Sequence, residues 1–282
     1  MTGRSFHLPG KVFLVGAGPG SAGLLTLRAH EALRSADIVF HDDLVSEEVL
    51  ALIPPSVAVH SVGKRCGSKK VGQGEIEERL VRAARSGQTV VRLKGGDALI
   101  FGRAQEEIAA LRQAGVRFEI IPGVTTASAA AAAAQISLTG RNGAAKLVFL
   151  SNHRALKRER NWQNTFEDST LVVYMPGPDL AALEAELLEA GMAAETPFLA
   201  ISQAALPQEE LVRGTIRELA ALPEAGSPRL LIIGKVIEGG ESACPASARE
   251  PLESAKNRDK REVILEIHDE AGIPLGPSLP GS

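Results

Sequence analysis

The segment that decides the fold is RLKGGDALIFGR, residues 92–103, in which a strand-like run stops at two glycines. The run before it, TVVRLKG (89–95), is rich in β-branched residues, which favour a buried strand. Gly95 and Gly96 allow the backbone to turn sharply or another group to approach it closely. Asp97 follows them. This pattern predicts either a ligand-binding turn or the beginning of a helix that Asp97 caps.

Strand-like runs alternate with helical segments on both sides of this turn. The predicted helices cover 23–36, 74–87 and 179–191, where apolar residues recur at three and four positions, and the alanine-rich run 125–135 favours another helix. Repetition of strand, helix and strand predicts an α/β fold with mainly parallel sheets covered on both faces. The predicted strands are 11–17, 37–42, 57–63, 89–95, 117–123, 146–152, 170–175, 197–202 and 229–237.

The chain is long enough for about two domains, since it contains 282 residues. The break is predicted near Pro122-Gly123, because each side then has a typical domain length. The predicted parts are an N-terminal extension (1–10), an N-terminal α/β domain (11–123), a C-terminal α/β domain (124–240) and a partly flexible tail (241–282) in which 261–269 is one possible strand.

Composition excludes several classes of protein. The net charge of -3 and pI near 6.1 argue against a broad nucleic-acid-binding surface, and 4% aromatic residues argue against stacking on single strands. No apolar run reaches the length of a membrane span. Cys66 and Cys244 form no zinc motif, so no metal is expected, and a reducing cytoplasmic setting is predicted.

Two further glycine-bearing turns follow predicted strands. VGAGPGSAGLLTL (15–27) matches a dinucleotide fingerprint only in part, since Ser21 replaces its last glycine; a nucleotide cofactor and a ligand-free turn both remain open. IPGVTTAS (121–128) places Thr125 and Thr126 at a predicted helix start, where capping explains one hydroxyl. In a parallel sheet all three turns share the carboxyl edge, where ligands bind.

An acid and a base lie just past two other predicted strands. Asp42 and Lys64 would share that edge and exchange protons with a substrate, although two solvated charges or a surface ion pair explain them as well. Met175 ends a strand of the second half, and a lone methionine is more often a core residue than a cofactor contact.

These segments, in this order, resemble the tetrapyrrole methylase family over about residues 11–237. The matching motifs include VGAGPG, LLTLRA, DLVS, VGKR, VVRLKGGD, IFGR, PGVT, LT.R and VVYM. The resemblance implies two α/β domains with the active site in the cleft between them, a homodimer, and S-adenosylmethionine as methyl donor, with S-adenosylhomocysteine as product. Within the family, GKR and IFGR resemble the branch that methylates two pyrrole carbons of uroporphyrinogen III to precorrin-2, in sirohaem and cobalamin biosynthesis.

The resemblance also implies roles for individual residues. Asp42 corresponds to the proton acceptor and Lys64 to the proton donor. Arg65, Arg103 and Arg141 are candidates to bind the carboxylates of the tetrapyrrole, which suit the planar guanidinium. The positions that match the cofactor site are Pro19, Gly95, Gly96, Asp97, Ile100, Thr125, Thr126, Met175 and Ala204, the last usually a glycine.

The sequence departs from the usual family pattern mainly on the expected acceptor side. The departures are His41, Asp43, Ala98, Gln105 and Asn152. Two alternatives therefore stay open beside uroporphyrinogen III methylation: a methyltransferase of the same fold with another acceptor, such as a later corrinoid precursor, and a cofactor-binding protein without turnover.

Overall fold

A computed structural model describes residues 10–63, 71–141, 144–152, 162 and 165–238. The first half forms a five-stranded sheet in the order β3-β2-β4-β1-β5, in which every neighbouring pair is parallel. This is the arrangement that the alternating pattern predicted. Its strands are β1 (Lys11–Gly16), β2 (Ile38–His41), β3 (Ala58–Ser61), β4 (Thr89–Lys94) and β5 (Arg117–Ile121).

Helices cover both faces of this sheet. Helices α1 (Leu27–Arg34) and α2 (Glu47–Leu50) pack on one face, and α3 (Gln73–Arg85) and α4 (Ala104–Gln113) pack on the other. Neighbouring residues of β4 show the division, since Val91 packs with Leu33 of α1 and Val90 packs with Leu80 of α3. Strand residues alternate between faces, so a run of apolar residues is needed where both faces are covered.

The strand order reverses between β4 and β1. From β1 the chain crosses through α1 to β2 on one side, and from β4 it crosses through α4 to β5 on the other side. Both connections begin at the carboxyl edge of the sheet, which is the edge where open α/β sheets bind ligands.

The second half forms a five-stranded mixed sheet in the order β6-β7-β10-β8-β9, so the prediction of a mainly parallel sheet is wrong for this half. Only β6 and β7 pair in parallel; β10 is antiparallel to β7 and to β8, and β9 is antiparallel to β8. A short loop joins β8 to β9, which antiparallel pairing allows and parallel pairing does not. The strands are β6 (Lys146–Ser151), β7 (Ser169–Tyr174), β8 (Pro197–Ser202), β9 (Glu210–Thr215) and β10 (Arg229–Ile233).

Helices again cover both faces of the second sheet. The alanine-rich segment forms α5 (Thr126–Ala133), whose Ala130 packs with Val172 and Ile232. Helix α6 (Leu180–Glu189) packs Leu183 against Val173 on the opposite face. Because alanine side chains are small, the backbone of α5 lies close to the sheet, and its first residue reaches the same edge as the glycine turns.

Most predicted elements are found with bounds shifted by a few residues. Strand β9 was not predicted, and β10 ends at Ile233 because Gly234 leads into a short 3-10 turn, Lys235–Ile237. The possible strand at 261–269 and the rest of the tail lie outside the described residues. Within the ranges that are described, no helix is both long and apolar enough to cross a bilayer. The domain break near residue 123 stays a prediction, although the two sheets lie on either side of it.

Candidate functional site

The three glycine-bearing turns meet through their backbones at the carboxyl edge of the first sheet. Gly96 N donates to Gly18 O at 2.7 Å, and Gly18 N donates to Gly96 O at 3.1 Å. A Cβ on Gly123 would lie 2.5 Å from Gly96 O and 2.9 Å from the Cα of Gly16, which no side chain tolerates. The glycines are therefore needed for the turns to touch.

The first turn does not have the geometry of a dinucleotide-binding loop. Such a loop leads directly into a helix whose N-terminus holds a phosphate. Here Ser21 caps a short 3-10 turn, Ala22–Leu24, and α1 begins only at Leu27. The partial match to the fingerprint is thus explained by close backbone contact and not by phosphate binding.

Asp97 connects the second turn to the third. Its Oδ1 accepts from Leu99 N at 2.8 Å and its Oδ2 accepts from Gly123 N at 2.9 Å. The capping alternative does not hold, because α4 begins at Ala104 and its N-cap is Arg103. Each carboxylate oxygen keeps a lone pair for a further donor. Asp97 is placed to bind a ligand at the edge that it organises.

Thr125 and Thr126 lie at the beginning of α5 beside these turns. Thr125 is the N-cap residue, yet its side chain makes no capping hydrogen bond; its Oγ1 lies 2.6 Å from the hydroxyl of Tyr174. Thr126 Oγ1 lies 3.4 Å from the position a Cβ on Gly96 would take. Helix capping therefore does not explain the Thr125 hydroxyl, and both hydroxyls lie at the place where the turns converge.

Asp42, the expected proton acceptor, lies against two buried cations of β4. Arg92 Nη2 donates to Asp42 Oδ1, and Lys94 Nζ lies 4.0 Å from Asp42 Oδ2. Arg92 and Lys94 are each 2% exposed, whereas the Asp42 side chain is 31% exposed. Asp42 is therefore not a solvated surface charge, since one oxygen is held from below while the carboxylate stays accessible at the carboxyl edge.

Glu107 balances the same two cations from below. Its carboxylate, which has no exposed surface, accepts from Arg92 Nε at 2.9 Å and from Lys94 Nζ at 3.0 and 3.1 Å. Burial, reinforced by repulsion from Arg92, lowers the pKa of Lys94 from its ordinary value of 10.5. Two cations and two carboxylates form one buried cluster, which is costly to break. We call Asp42, Arg92, Lys94 and Glu107 the charge cluster.

Two loops of the second half carry further expected site residues, and the loop after β8 reaches the first turn. Met175 follows β7 with a left-handed φ of 49° and a 42% exposed side chain. Ala204 is 3% exposed and lies in the loop after β8, between Gln203 and Ala205, both also left-handed. A Cβ on Gly20 would lie 2.6 Å from Leu206 in that loop. Strained backbone of this kind is concentrated at functional sites.

The other expected site residues differ in how far they are exposed to solvent. Pro19 is buried within the first turn, and Ile100 is half-buried in the loop after β4. The cations are exposed: Arg103 pairs with Glu106, with Nε 3.1 Å from Oε1, and Arg141 lies at the surface. Lys64 and Arg65 lie outside the described residues.

Two of the departures from the family pattern make specific contacts. Asp43 accepts a hydrogen bond from Ser61 Oγ at 3.2 Å and lies against Gly63. Its carboxylate therefore binds the segment in which β3 ends. Asn152 Nδ2 donates to Pro176 O at 2.7 Å, next to Met175. Of the remaining departures, His41 Nδ1 lies 3.0 Å from Asp42 O, Ala98 is fully buried and Gln105 is exposed.

Sequence reasoning missed three members of the charge cluster and Tyr174. A signal for Arg92 and Lys94 was present: two cations within an otherwise apolar strand need buried counter-charges. Glu107, however, looks like any charged residue on a helix, and only the packing of α4 on the sheet places it beneath β4.

Comparison with known proteins identifies the family to which the chain belongs. The family model described as Tetrapyrrole (Corrin/Porphyrin) Methylases matches residues 11–220, which is most of the chain. The chain belongs to the tetrapyrrole methylase family. The match spans all three glycine turns and the charge cluster, so those features lie in the region that the family model describes.

This family member is similar to proteins of two lengths. It is 42% identical over 232 residues to Siroheme synthase 1 of Klebsiella pneumoniae, covering 81% of this chain and 49% of that protein. It is 43% identical over 236 residues to Uroporphyrinogen-III C-methyltransferase of Paracoccus denitrificans, covering 80% of this chain and 81% of that protein. The chain thus spans about half the length of the siroheme synthases it matches.

Solved structures of similar fold are also known. Uroporphyrin-III C-methyltransferase from Thermus thermophilus, complexed with S-adenosylhomocysteine, has a TM-score of 0.71 and 38% identity, covering 81% of this chain and 99% of that one. A cobalt precorrin-4 methyltransferase has a TM-score of 0.71 and 26% identity, covering 84% of this chain and 99% of that one.

Proposed function

We propose that the protein transfers methyl groups from S-adenosylmethionine to two pyrrole carbons of uroporphyrinogen III, giving precorrin-2. The observation that carries this proposal is the backbone contact of three glycine turns at the point where the strand order reverses. It is supported by 43% identity to the Paracoccus denitrificans uroporphyrinogen-III C-methyltransferase and by the Thermus thermophilus structure with S-adenosylhomocysteine.

The residues at the edge fit an adenosyl sulfonium compound. S-adenosylmethionine has no phosphate, and the first turn lacks the helix N-terminus that a phosphate needs. Gly95 offers backbone groups, and Gly96 adds no side chain beside them. Asp97 offers acceptor lone pairs, and Ile100 and Met175 offer apolar surface. The set that we propose for the methyl donor is completed by Pro19, Thr125, Thr126 and Ala204.

The methyl donor supplies an activated methyl group on a positively charged sulfur. The task of the protein is then to hold two reactants in line and to exclude water. After the pyrrole carbon is methylated, the ring loses a proton, and Asp42 is the proposed acceptor. Arg92 and Lys94 orient its carboxylate from below. Lys64, which lies outside the described residues, is the proposed proton donor.

The acceptor carries eight carboxylates, so cations are needed where it binds. Arg103 is exposed and its Glu106 partner is also exposed, so a substrate carboxylate can replace that partner at little cost. Arg65 and Arg141 are proposed for the same role. A planar guanidinium binds a carboxylate through two parallel hydrogen bonds, which gives orientation as well as attraction.

Anaerobic incubation with S-adenosylmethionine and uroporphyrinogen III tests this function. We expect a product whose mass is greater by two CH2 units, since each methyl group replaces a proton, and whose oxidised form has the spectrum of sirohydrochlorin. An Asp42→Asn variant, which keeps the shape but not the basicity, is expected to bind S-adenosylhomocysteine and to lose turnover. If the wild-type protein binds S-adenosylhomocysteine but methylates no uroporphyrinogen, the proposed acceptor is wrong.

A later corrinoid precursor is the second candidate acceptor. The fold is shared equally well with a cobalt precorrin-4 methyltransferase, and the departures His41, Asp43, Ala98 and Gln105 lie on or beside the expected acceptor side. Transfer to such a precursor, and none to uroporphyrinogen III, would favour this candidate. Binding of S-adenosylhomocysteine with no transfer to any tetrapyrrole would favour a binding protein without turnover.

We also propose that the protein is a cytoplasmic homodimer. The support is the resemblance of its ordered motifs to a family of dimers and the absence of zinc-type or disulfide-type cysteine spacing. Light scattering coupled to size-exclusion chromatography measures the mass in solution, and a monomer at micromolar concentration would contradict the dimer.

A further inference from the structure

Tyr174 is a residue of the second sheet that contacts expected site elements before and after residue 123. It ends β7, immediately before Met175. Its hydroxyl lies 2.6 Å from Thr125 Oγ1, and its ring centroid lies 5.1 Å from that of Phe101. On the far side, Phe149 packs edge-on at 5.5 Å. One residue thus contacts both the beginning of α5 and the loop that carries Ile100 and Arg103.

Two polar groups lie against the Tyr174 hydroxyl. Ala127 N donates to its oxygen at 3.4 Å, and Thr125 Oγ1 lies 2.6 Å away, where either of the two hydroxyls can be the donor. Burial, the largest influence, raises the pKa of Tyr174, so its hydroxyl keeps a hydrogen to donate. When Tyr174 donates to Thr125, whose side chain caps nothing, the Thr125 hydroxyl keeps its own hydrogen for another acceptor.

We propose, on the basis of the proposed function, that Tyr174 is a positioning residue for the methyl donor. It fixes the Thr125 hydroxyl so that Thr125 donates a hydrogen bond to an acceptor atom of the bound nucleoside. The chain of donors runs from Ala127 N through Tyr174 and Thr125 to the ligand. The aromatic ring has a separate role, because its contact with Phe101 supports the loop on the acceptor side.

Calorimetric titration with S-adenosylhomocysteine tests the proposal without turnover. Tyr174→Phe removes the hydroxyl and keeps the ring, and we expect the Kd to rise about fivefold to tenfold, as for one hydrogen bond to a ligand. Thr125→Val is expected to produce a similar rise. The double variant is expected to be no worse than Thr125→Val alone, because the two hydroxyls act through one contact.

The KM values for the two substrates distinguish a positioning role from a merely structural one, which would raise both. Tyr174→Phe keeps the ring against Phe101, so its KM for the tetrapyrrole is expected to stay within about twofold of wild type while its KM for S-adenosylmethionine rises. Urea unfolding of each variant reports whether the fold is retained. Equal rises in both KM values would overturn the proposal.

Three other outcomes are decisive. If Tyr174→Phe binds S-adenosylhomocysteine as wild type does, or if the effects of the two single variants multiply in the double variant, Tyr174 does not act through Thr125. If the wild-type protein itself fails to bind S-adenosylhomocysteine, the proposed function is overturned and this proposal with it. The wild-type titration therefore separates the two kinds of failure.

Discussion

Replacing Glu107 by glutamine removes one charge from the centre of the charge cluster and almost no volume. Glu107 has no exposed surface and receives hydrogen bonds from Arg92 and Lys94. After the substitution, two buried cations share only Asp42, whose side chain is 31% exposed. An uncompensated buried charge costs about 3–5 kcal/mol, because neither water nor another carboxylate can replace the lost partner.

Urea unfolding at pH 7 measures this loss as a change in midpoint at constant slope. The matched control is Glu75→Gln on α3, where Glu75 pairs with Arg79 at 2.5 Å and the Glu75 side chain is 50% exposed. An exposed pair of this kind contributes about 0.3–0.5 kcal/mol. The two substitutions are chemically identical, so their difference isolates burial.

A double variant shows whether the loss comes from the unpaired cation. Lys94→Met removes one of the two buried cations, so Lys94→Met combined with Glu107→Gln is expected to be less destabilised than the sum of the single variants by at least about 1 kcal/mol. A loss below about 1 kcal/mol for Glu107→Gln, or strict additivity in the double variant, would refute the electrostatic account of the cluster.

Three further predictions concern the turns, the acceptor side and pH. Gly123→Ala places a Cβ 2.5 Å from Gly96 O, so we expect S-adenosylhomocysteine binding to weaken at least about tenfold by calorimetry, whereas Gly74→Ala, with no neighbour within 4 Å, should bind normally. Arg103→Ala is expected to raise the KM for uroporphyrinogen III at least about tenfold and to leave the S-adenosylhomocysteine Kd within about twofold; equal weakening of both would exclude its proposed role. The pKa of Lys94 is lowered in the folded protein, so between that folded-state pKa and 10.5 the unfolded chain binds more protons than the folded chain. The free energy of unfolding of wild type, relative to that of Lys94→Met, should therefore rise with pH in this window, as measured by urea unfolding at several pH values. A difference that does not change with pH would contradict the shift.

The amino-acid sequence by itself determined the order of the elements in the first half and the edge at which the site lies. Apolar runs such as those of β1 and β4 are long enough to be buried on both faces, so they predict a parallel sheet without any tertiary information. Parallel strands place their carboxyl ends together, and Gly18, Gly96 and Gly123 each follow such an end. Their convergence therefore followed from local pattern and strand direction.

The directions of β9 and β10 and the partners of the buried charges were decided only by the tertiary structure. Strand β9 is an edge strand with exposed polar residues, so its pattern is weak, and the direction of β10 depends on which neighbours it pairs with. The sequence also contained no signal for the roles of Glu107 and Tyr174. Each acts through a contact with a residue distant in sequence, Glu107 with Arg92 and Tyr174 with Thr125. Periodicity reports which face of an element is buried, but the identity of the group across that face depends on how separate elements pack together.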